Sequence, residues 1–320
     1  MFERILVPLD GSPRAEQALP VAARIARASG GSIHLLQVFS LMIEYDGGLA
    51  PVSYVTEQSV DAELTQGTDY LRTVAASLQL SGIQTTIEVV FGLPAQYILA
   101  AAATRKVDLI VMCSHGRTGF ARWALGSVAH TLAHESTVPT LILRESEPTS
   151  LLSSTDNMRP LCALVPLDGS ELSEAALAPA AHLVTALAAP AQGALHLAQI
   201  VTLAPAEEGF VIEINEETLQ RTRTYLAQVA ERLQTTMKDS KLFITSSVEL
   251  EKDVSSALAH LAEHGSARKE TGGIDSCDLI AISTHGRGGM ERWVIGSVTD
   301  RLLTSTKLPM LIVRATTKRE

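Results

Sequence analysis

A fifteen-residue stretch occurs twice in this chain, and the duplication constrains the fold more than any other feature. The first copy runs Cys113-Ser-His-Gly-Arg-Thr-Gly-Phe-Ala-Arg-Trp-Ala-Leu-Gly-Ser127; the second runs Ser283-Thr-His-Gly-Arg-Gly-Gly-Met-Glu-Arg-Trp-Val-Ile-Gly-Ser297. A second echo opens each half: Ile5-Leu-Val-Pro-Leu-Asp-Gly-Ser12 and Ala163-Leu-Val-Pro-Leu-Asp-Gly-Ser170. The period is far longer than a solenoid unit, so the repeat is of whole domains. A length of 320 residues suits two of them. We read the domains as 1–145 and 161–320, with 146–160 as a polar linker rich in Ser, Thr and Pro.

Each half alternates strand and helix patterns. Ile5 to Leu9 reads as a buried strand, and Ser12 caps one continuous helix with Pro13 at its first position. Ala15, Ala18, Leu19, Ala22, Ile25 and Ala26 form its apolar face, and Gly30-Gly31 ends it. Strands follow at 33–39, 85–91, 107–112 and 139–144. Between them come helices marked by Val60, Leu64, Leu71, Val74 and Leu78, then by 94–104, then from Ser127 to about Glu135. Residues 40–56 are long enough for a lid or binding loop. The second half repeats the order with an insertion near 264–276. Such alternation predicts parallel α/β sheet covered on both faces.

In each copy the repeated stretch follows an apolar run and leads into a helix start. Glycines let backbone approach a ligand, and the first amides of a helix are unpaired donors with partial positive charge. That combination suits phosphate. A Walker loop is absent, as is a dinucleotide Gly-x-Gly-x-x-Gly after the first strand, which sets aside the usual NTPase and dehydrogenase readings.

The composition limits partners. A net charge of -9 argues against a nucleic-acid binder or a protein that docks on anionic lipid. No run of about 18 apolar residues predicts a membrane span. Cys113, Cys162 and Cys277 lack metal-ligand spacing and suggest no disulfide framework, so we expect a reducing, cytoplasmic setting and assign no metal ligand.

On these motifs the chain resembles a tandem universal stress protein, with two domains covering almost all of it. The signature of the family's ATP-binding members is Gly-x-x-Gly, nine residues, then Gly-Ser or Gly-Thr. Gly116, nine residues, then Gly126-Ser127 matches, as does Gly286, nine residues, then Gly296-Ser297. Cys113 and Ser283 stand where the signature has its first glycine; both are small. The resemblance implies two doubly wound five-stranded parallel sheets of order 3-2-1-4-5, joined through their fifth strands as an intramolecular pseudo-dimer, with a further homodimer left open. Pro139 and Pro309 at the start of those strands fit an edge position.

The resemblance also implies a site at the switch point between strands 1 and 4. Asp10 and Asp168 match the aspartate that accepts from the adenine side, with Pro8 and Pro166 beside them. Val38 and Ile200 match the residue whose backbone reads adenine. Gly116, Gly126, Ser127 and Val128 match the phosphate and ribose shell, as do Gly286, Gly296, Ser297 and Val298. Met112, His115 and Arg117, with Ile282, His285 and Arg287, complete the candidate set. The expected ligand is ATP with Mg²⁺, and the expected role a stress-response sensor or regulator with no catalytic residue. A slow ATPase or nucleotidyl-transfer enzyme, and a ligand-free interaction module, are the alternatives. Asp10 also fits a turn cap, His115 and His285 also fit structural loop residues, and Trp123 and Trp293 read better as packing residues. Thr271-Gly-Gly-Ile-Asp-Ser276 looks like a pyrophosphatase phosphate loop but sits in the wrong place, before the fourth strand.

Overall fold

The structure is a computed structural model and describes residues 2–40, 57–114, 125–144, 150–153, 159–202, 216–238, 240–266, 276–286 and 295–315. The first half runs β1 Arg4–Leu9, α1 Pro13–Glu16, α2 Ala18–Ser29, β2 Ser32–Phe39, α3 Glu57–Ala75, β3 Thr85–Phe91, α4 Pro94–Thr104, β4 Leu109–Cys113, α5 Ser127–Glu135 and β5 Thr140–Leu143. A short helix, α6 Ser150–Ser153, comes next. The second half runs β6 Leu161–Pro166, α7 Glu171–Glu174, α8 Leu177–Ala188, β7 Gly193–Thr202, α9 Glu216–Thr236, β8 Leu242–Glu251, α10 Val254–His264, β9 Leu279–Ser283, α11 Ser297–Ser305 and β10 Met310–Val313.

The strands form one ten-stranded sheet of order β3-β2-β1-β4-β5-β10-β9-β6-β7-β8. Each half therefore has the 3-2-1-4-5 order, and the fifth strands join them. That central pair is antiparallel, with Met310 opposite Ile142, Leu311 opposite Leu141 and Ile312 opposite Thr140. All other pairs are parallel. Leu141 and Leu311 hold the same place in the repeat and face each other, so a pseudo-twofold axis passes between them, as in an isologous dimer. Both are fully buried, and burial of each contributes about 2 kcal/mol.

Strand residues alternate between two cores. Ile5, Val7 and Leu9 join α2, α8 and parts of α3 and α9 on one face; Leu6 joins α4, α5, α10 and α11 on the other. Both cores run across the boundary between the halves.

Two sequence expectations need correction. The helix after Ser12 is not continuous: it breaks at Gln17, and its counterpart breaks at Ala175 and Ala176. Pro20 and Pro179 explain both breaks. Each lacks an amide and sets its ring against the carbonyl four residues back, at Glu16 and Ala175. The 146–160 segment is not a plain polar tether either, since α6 buries Leu151 in the core. Arg24 also donates to the Leu152 carbonyl at 3.4 Å. Other expectations hold: Ser12 caps α1 by accepting from the Ala15 amide at 3.2 Å. Gly30 ends α2 at φ 65, a left-handed backbone that glycine takes without strain. Residues 41–56 and most of the 264–276 insertion lie outside the described residues.

Candidate functional site

At the carboxyl end of the sheet, β1 lies between β2 and β4, so the connections from β1 and β4 leave in opposite directions. The same reversal occurs between β7 and β9 around β6. Open α/β sheets bind ligands at this point. Asp10 follows directly on β1, and Asp168 follows β6 after Leu167.

Both carboxylates are held by the same turn. Asp10 Oδ1 accepts from the Ser12 amide at 2.9 Å and its hydroxyl at 2.6 Å. Asp168 Oδ1 accepts from the Ser170 amide at 2.9 Å and hydroxyl at 2.6 Å. One oxygen of each aspartate therefore closes the turn, as Asx residues do. The other oxygen of Asp168 points across the crevice: a Cβ placed on Gly286 would fall on Oδ2. Gly286 thus permits the β6 and β9 loops to meet.

The helices that leave the crevice begin in matching ways. Gly126 and Gly296 sit extended at the N-caps of α5 and α11, with no side-chain cap. Their own amides donate to the Ser114 carbonyl at 2.8 Å and the Thr284 carbonyl at 2.7 Å, tying helix start to strand end. The first amides to bond back are those of His130 and Asp300, to the carbonyls of Gly126 and Gly296. The amides of Ser127 and Val128, and of Ser297 and Val298, precede the first helical bond and take no helical partner. His285 Nδ1 lies 2.9 Å from Thr284 Oγ1, while its Nε2 is buried and has no hydrogen-bond partner among the described residues.

Met112 and Ile282 are buried at the ends of β4 and β9. Val38 and Ile200 are partly buried against the same core, near the ends of β2 and β7. Pro8 and Pro166 lie inside β1 and β6. The structure thus gathers Pro8, Asp10, Val38, Met112, Gly126, Ser127 and Val128 at one end of the first half. Their counterparts Pro166, Asp168, Ile200, Ile282, His285, Gly286, Gly296, Ser297 and Val298 gather in the second. His115, Gly116, Arg117 and Arg287 lie outside the described residues, as do Trp123, Trp293 and the Thr271–Asp275 motif.

Some neighbours of the site escaped the sequence reading. Gln37 and Gln199, one residue before Val38 and Ile200, are buried, and their Oε1 atoms have no hydrogen-bond partner among the described residues. Tyr70 donates to Glu16 at 2.9 Å and Tyr225 to Glu174 at 3.0 Å, pinning the short helix behind each aspartate. Burial and the glutamate push both phenols well above their ordinary pKa. The available signal was recurrence at equal places in the repeat. A cavity of about 650 Å³ exists, but it lies at the amino end of β1 and β2, beside Glu3, Arg4, Gly31 and Ser32, away from the switch point.

Comparisons with known proteins agree with this architecture. A universal stress protein of Archaeoglobus fulgidus superposes with a TM-score of 0.67 at 18% identity, covering 98% of each chain. Universal stress protein YxiE of Bacillus subtilis is 31% identical over 148 residues, which is 45% of this chain and 100% of the relative. A universal stress protein of Mycolicibacterium smegmatis is 24% identical over 317 residues, 97% of this chain and 96% of its own. The sequence model of the Universal stress protein family matches twice, over residues 1–144 and 163–314. With nearly the whole length accounted for by these two matches, the chain belongs to the universal stress protein family.

Proposed function

We propose that the chain is a nucleotide-binding regulator that takes ATP, with Mg²⁺, at the switch-point crevice of one or both halves, and is not a metabolic enzyme. The observation that carries this reading is in the second half. There the Asp168 carboxylate, Gly286, the His285 nitrogen that lacks a partner among the described residues, and the start of α11 at its Gly296 cap adjoin one crevice. The amides of Ser297 and Val298 suit phosphate oxygens by donor geometry and by the helix dipole. An ionised Asp168 only accepts hydrogen bonds, so it suits an amino or hydroxyl group at the other end of the ligand. The Asp10, Ser127 and Val128 set offers the same chemistry in the first half. Among the described residues the donors facing the phosphates are neutral amides, so Mg²⁺ would be held chiefly by the phosphates and would offset their charge. Asp10 and Asp168 are each committed to a turn, which fits binding better than proton transfer.

Mass spectrometry of nucleotide released from the denatured purified protein tests occupancy, and calorimetric titration with ATP counts the sites. Gly286→Val sets a side chain against Asp168 and is expected to remove the second site in a protein that still melts cooperatively. Unchanged stoichiometry in that variant would reject the assignment. Steady-state phosphate release from ATP would favour the slow-ATPase alternative.

A further inference from the structure

We propose that the two halves share a transition-metal site at the pseudo-twofold axis, made by His130, His134 and Asp300 and suited to Zn²⁺. It is separate from the nucleotide crevice. α5 and α11 lie on the same face of the sheet on either side of the central β5–β10 pair. His130 and His134 are four residues apart and so share one face of α5. Their rings stack at 4.2 Å between centroids and 27° between planes. Asp300 enters from α11 of the other half, and His134 Nε2 lies 3.5 Å from its Oδ1. One ligand atom from each of the three residues lies within 4.8 Å of the others.

The separations suit a metal better than a hydrogen-bonded network. Two ligands on a tetrahedral Zn²⁺, each at about 2.0–2.1 Å, are roughly 3.3 Å apart. The His134–Asp300 separation is already close to that value, and small side-chain rotations would bring His130 into place. His134 Nε2 is buried and, apart from the Asp300 carboxylate at 3.5 Å, has no polar partner among the described residues, which leaves it placed to take a ligand. Two imidazoles and one carboxylate match Zn²⁺, whereas Mg²⁺ and Ca²⁺ favour oxygen donors. His130 is exposed, which leaves an entry path and room for water as a fourth ligand. A second stacked pair, His260 and His264 on α10, has centroids 4.8 Å apart, but no third donor joins it among the described residues. It serves as an internal control.

Zn²⁺ and Co²⁺ titration of the nucleotide-free full chain tests the site, with equilibrium dialysis for stoichiometry and visible absorption for Co²⁺ geometry. The expected result is one ion per chain, a tetrahedral Co²⁺ spectrum, and a rise in melting temperature on Zn²⁺ addition. His130→Asn, His134→Asn and Asp300→Asn should each weaken binding at least tenfold, and His264→Asn should not. His130 is exposed, so its variant keeps the test valid if His134→Asn folds poorly. Absence of uptake, uptake indifferent to the first three substitutions, or equal loss in His264→Asn would overturn the site. Nucleotide binding is measured separately, so either proposal can fail without the other.

Discussion

His34 and His196 hold one place in the repeat and titrate in different surroundings. Each ring Nδ1 meets a threonine, Thr86 or Thr245, at 2.8 Å. His34 Nε2 then meets Glu88 at 3.0 Å, and Glu88 also binds Arg105. His196 Nε2 meets only the Ser247 hydroxyl, at 2.9 Å. Burial lowers the His34 pKa, Arg105 adds to that, and Glu88 opposes both. Burial alone takes His196 from 6.5 down to about 4. Between those values the unfolded chain binds a proton that the folded chain refuses, so stability is full above pH 6.5 and falls toward pH 4. The shift corresponds to a loss of about 3 kcal/mol. Urea denaturation from pH 7 to pH 4 measures it, and His196→Asn should flatten that part of the profile. An unchanged profile would assign the loss elsewhere. Neither histidine was legible as a core group in the sequence, because strands buried on both faces lack the period-two alternation that separates inside from outside.

Arginines at the ends of the two central strands reach across to the other half. Arg144, just after β5, donates to the Leu303 carbonyl in the last turn of α11. Arg314, just after β10, donates to the Glu135 carbonyl at the end of α5, at 3.1 Å. Each cation thus meets the negative end of a helix it does not belong to. A charged hydrogen bond adds about 1.5–3 kcal/mol. Burial, however, lowers the Arg144 pKa from 12.5 to about 10, a desolvation cost of about 3 kcal/mol. The two terms nearly cancel. Arg144→Met, which keeps the packed stem, should therefore melt within about 1 kcal/mol of the parent. Calorimetric unfolding decides, and a loss well above 2 kcal/mol would show that the cross-half bond dominates. Elements of this length were readable from helical spacing, caps and glycine stops, as Ser12 and Gly30 illustrate. The break at Gln17 was not, because Ala15, Ala18, Leu19 and Ala22 keep an apolar stripe running past it. The helix Ser150–Ser153 is too short for periodicity to register.

On the scale of the molecule, the order of each half and the joining of the fifth strands followed from the family resemblance, and Pro139, Pro309 and their short apolar runs fitted it. The crevice was legible only as far as its glycines and aspartates. Its closing contacts depend on which loops the sheet brings together, as Asp168 and Gly286 show. Leu141 and Leu311 are direct partners in the central pair, close enough for a disulfide. Leu141→Cys combined with Leu311→Cys should crosslink within single chains, seen as oxidised monomer by mass. Crosslinks found only between chains would reject the intramolecular sheet. The pseudo-twofold axis carries one more consequence. When a single gene copy makes a dimer, each substitution is written twice, and like must face like at the axis. Fusion removes that constraint. Here His130 has Asp300 as its counterpart, and Glu88 has Ser247 as the differing neighbour of a shared histidine. The buried pair Cys162 and Cys277, with sulfurs 3.3 Å apart, belongs to the second half alone. One covalent connection has let two copies of a fold drift into complementary rather than identical halves.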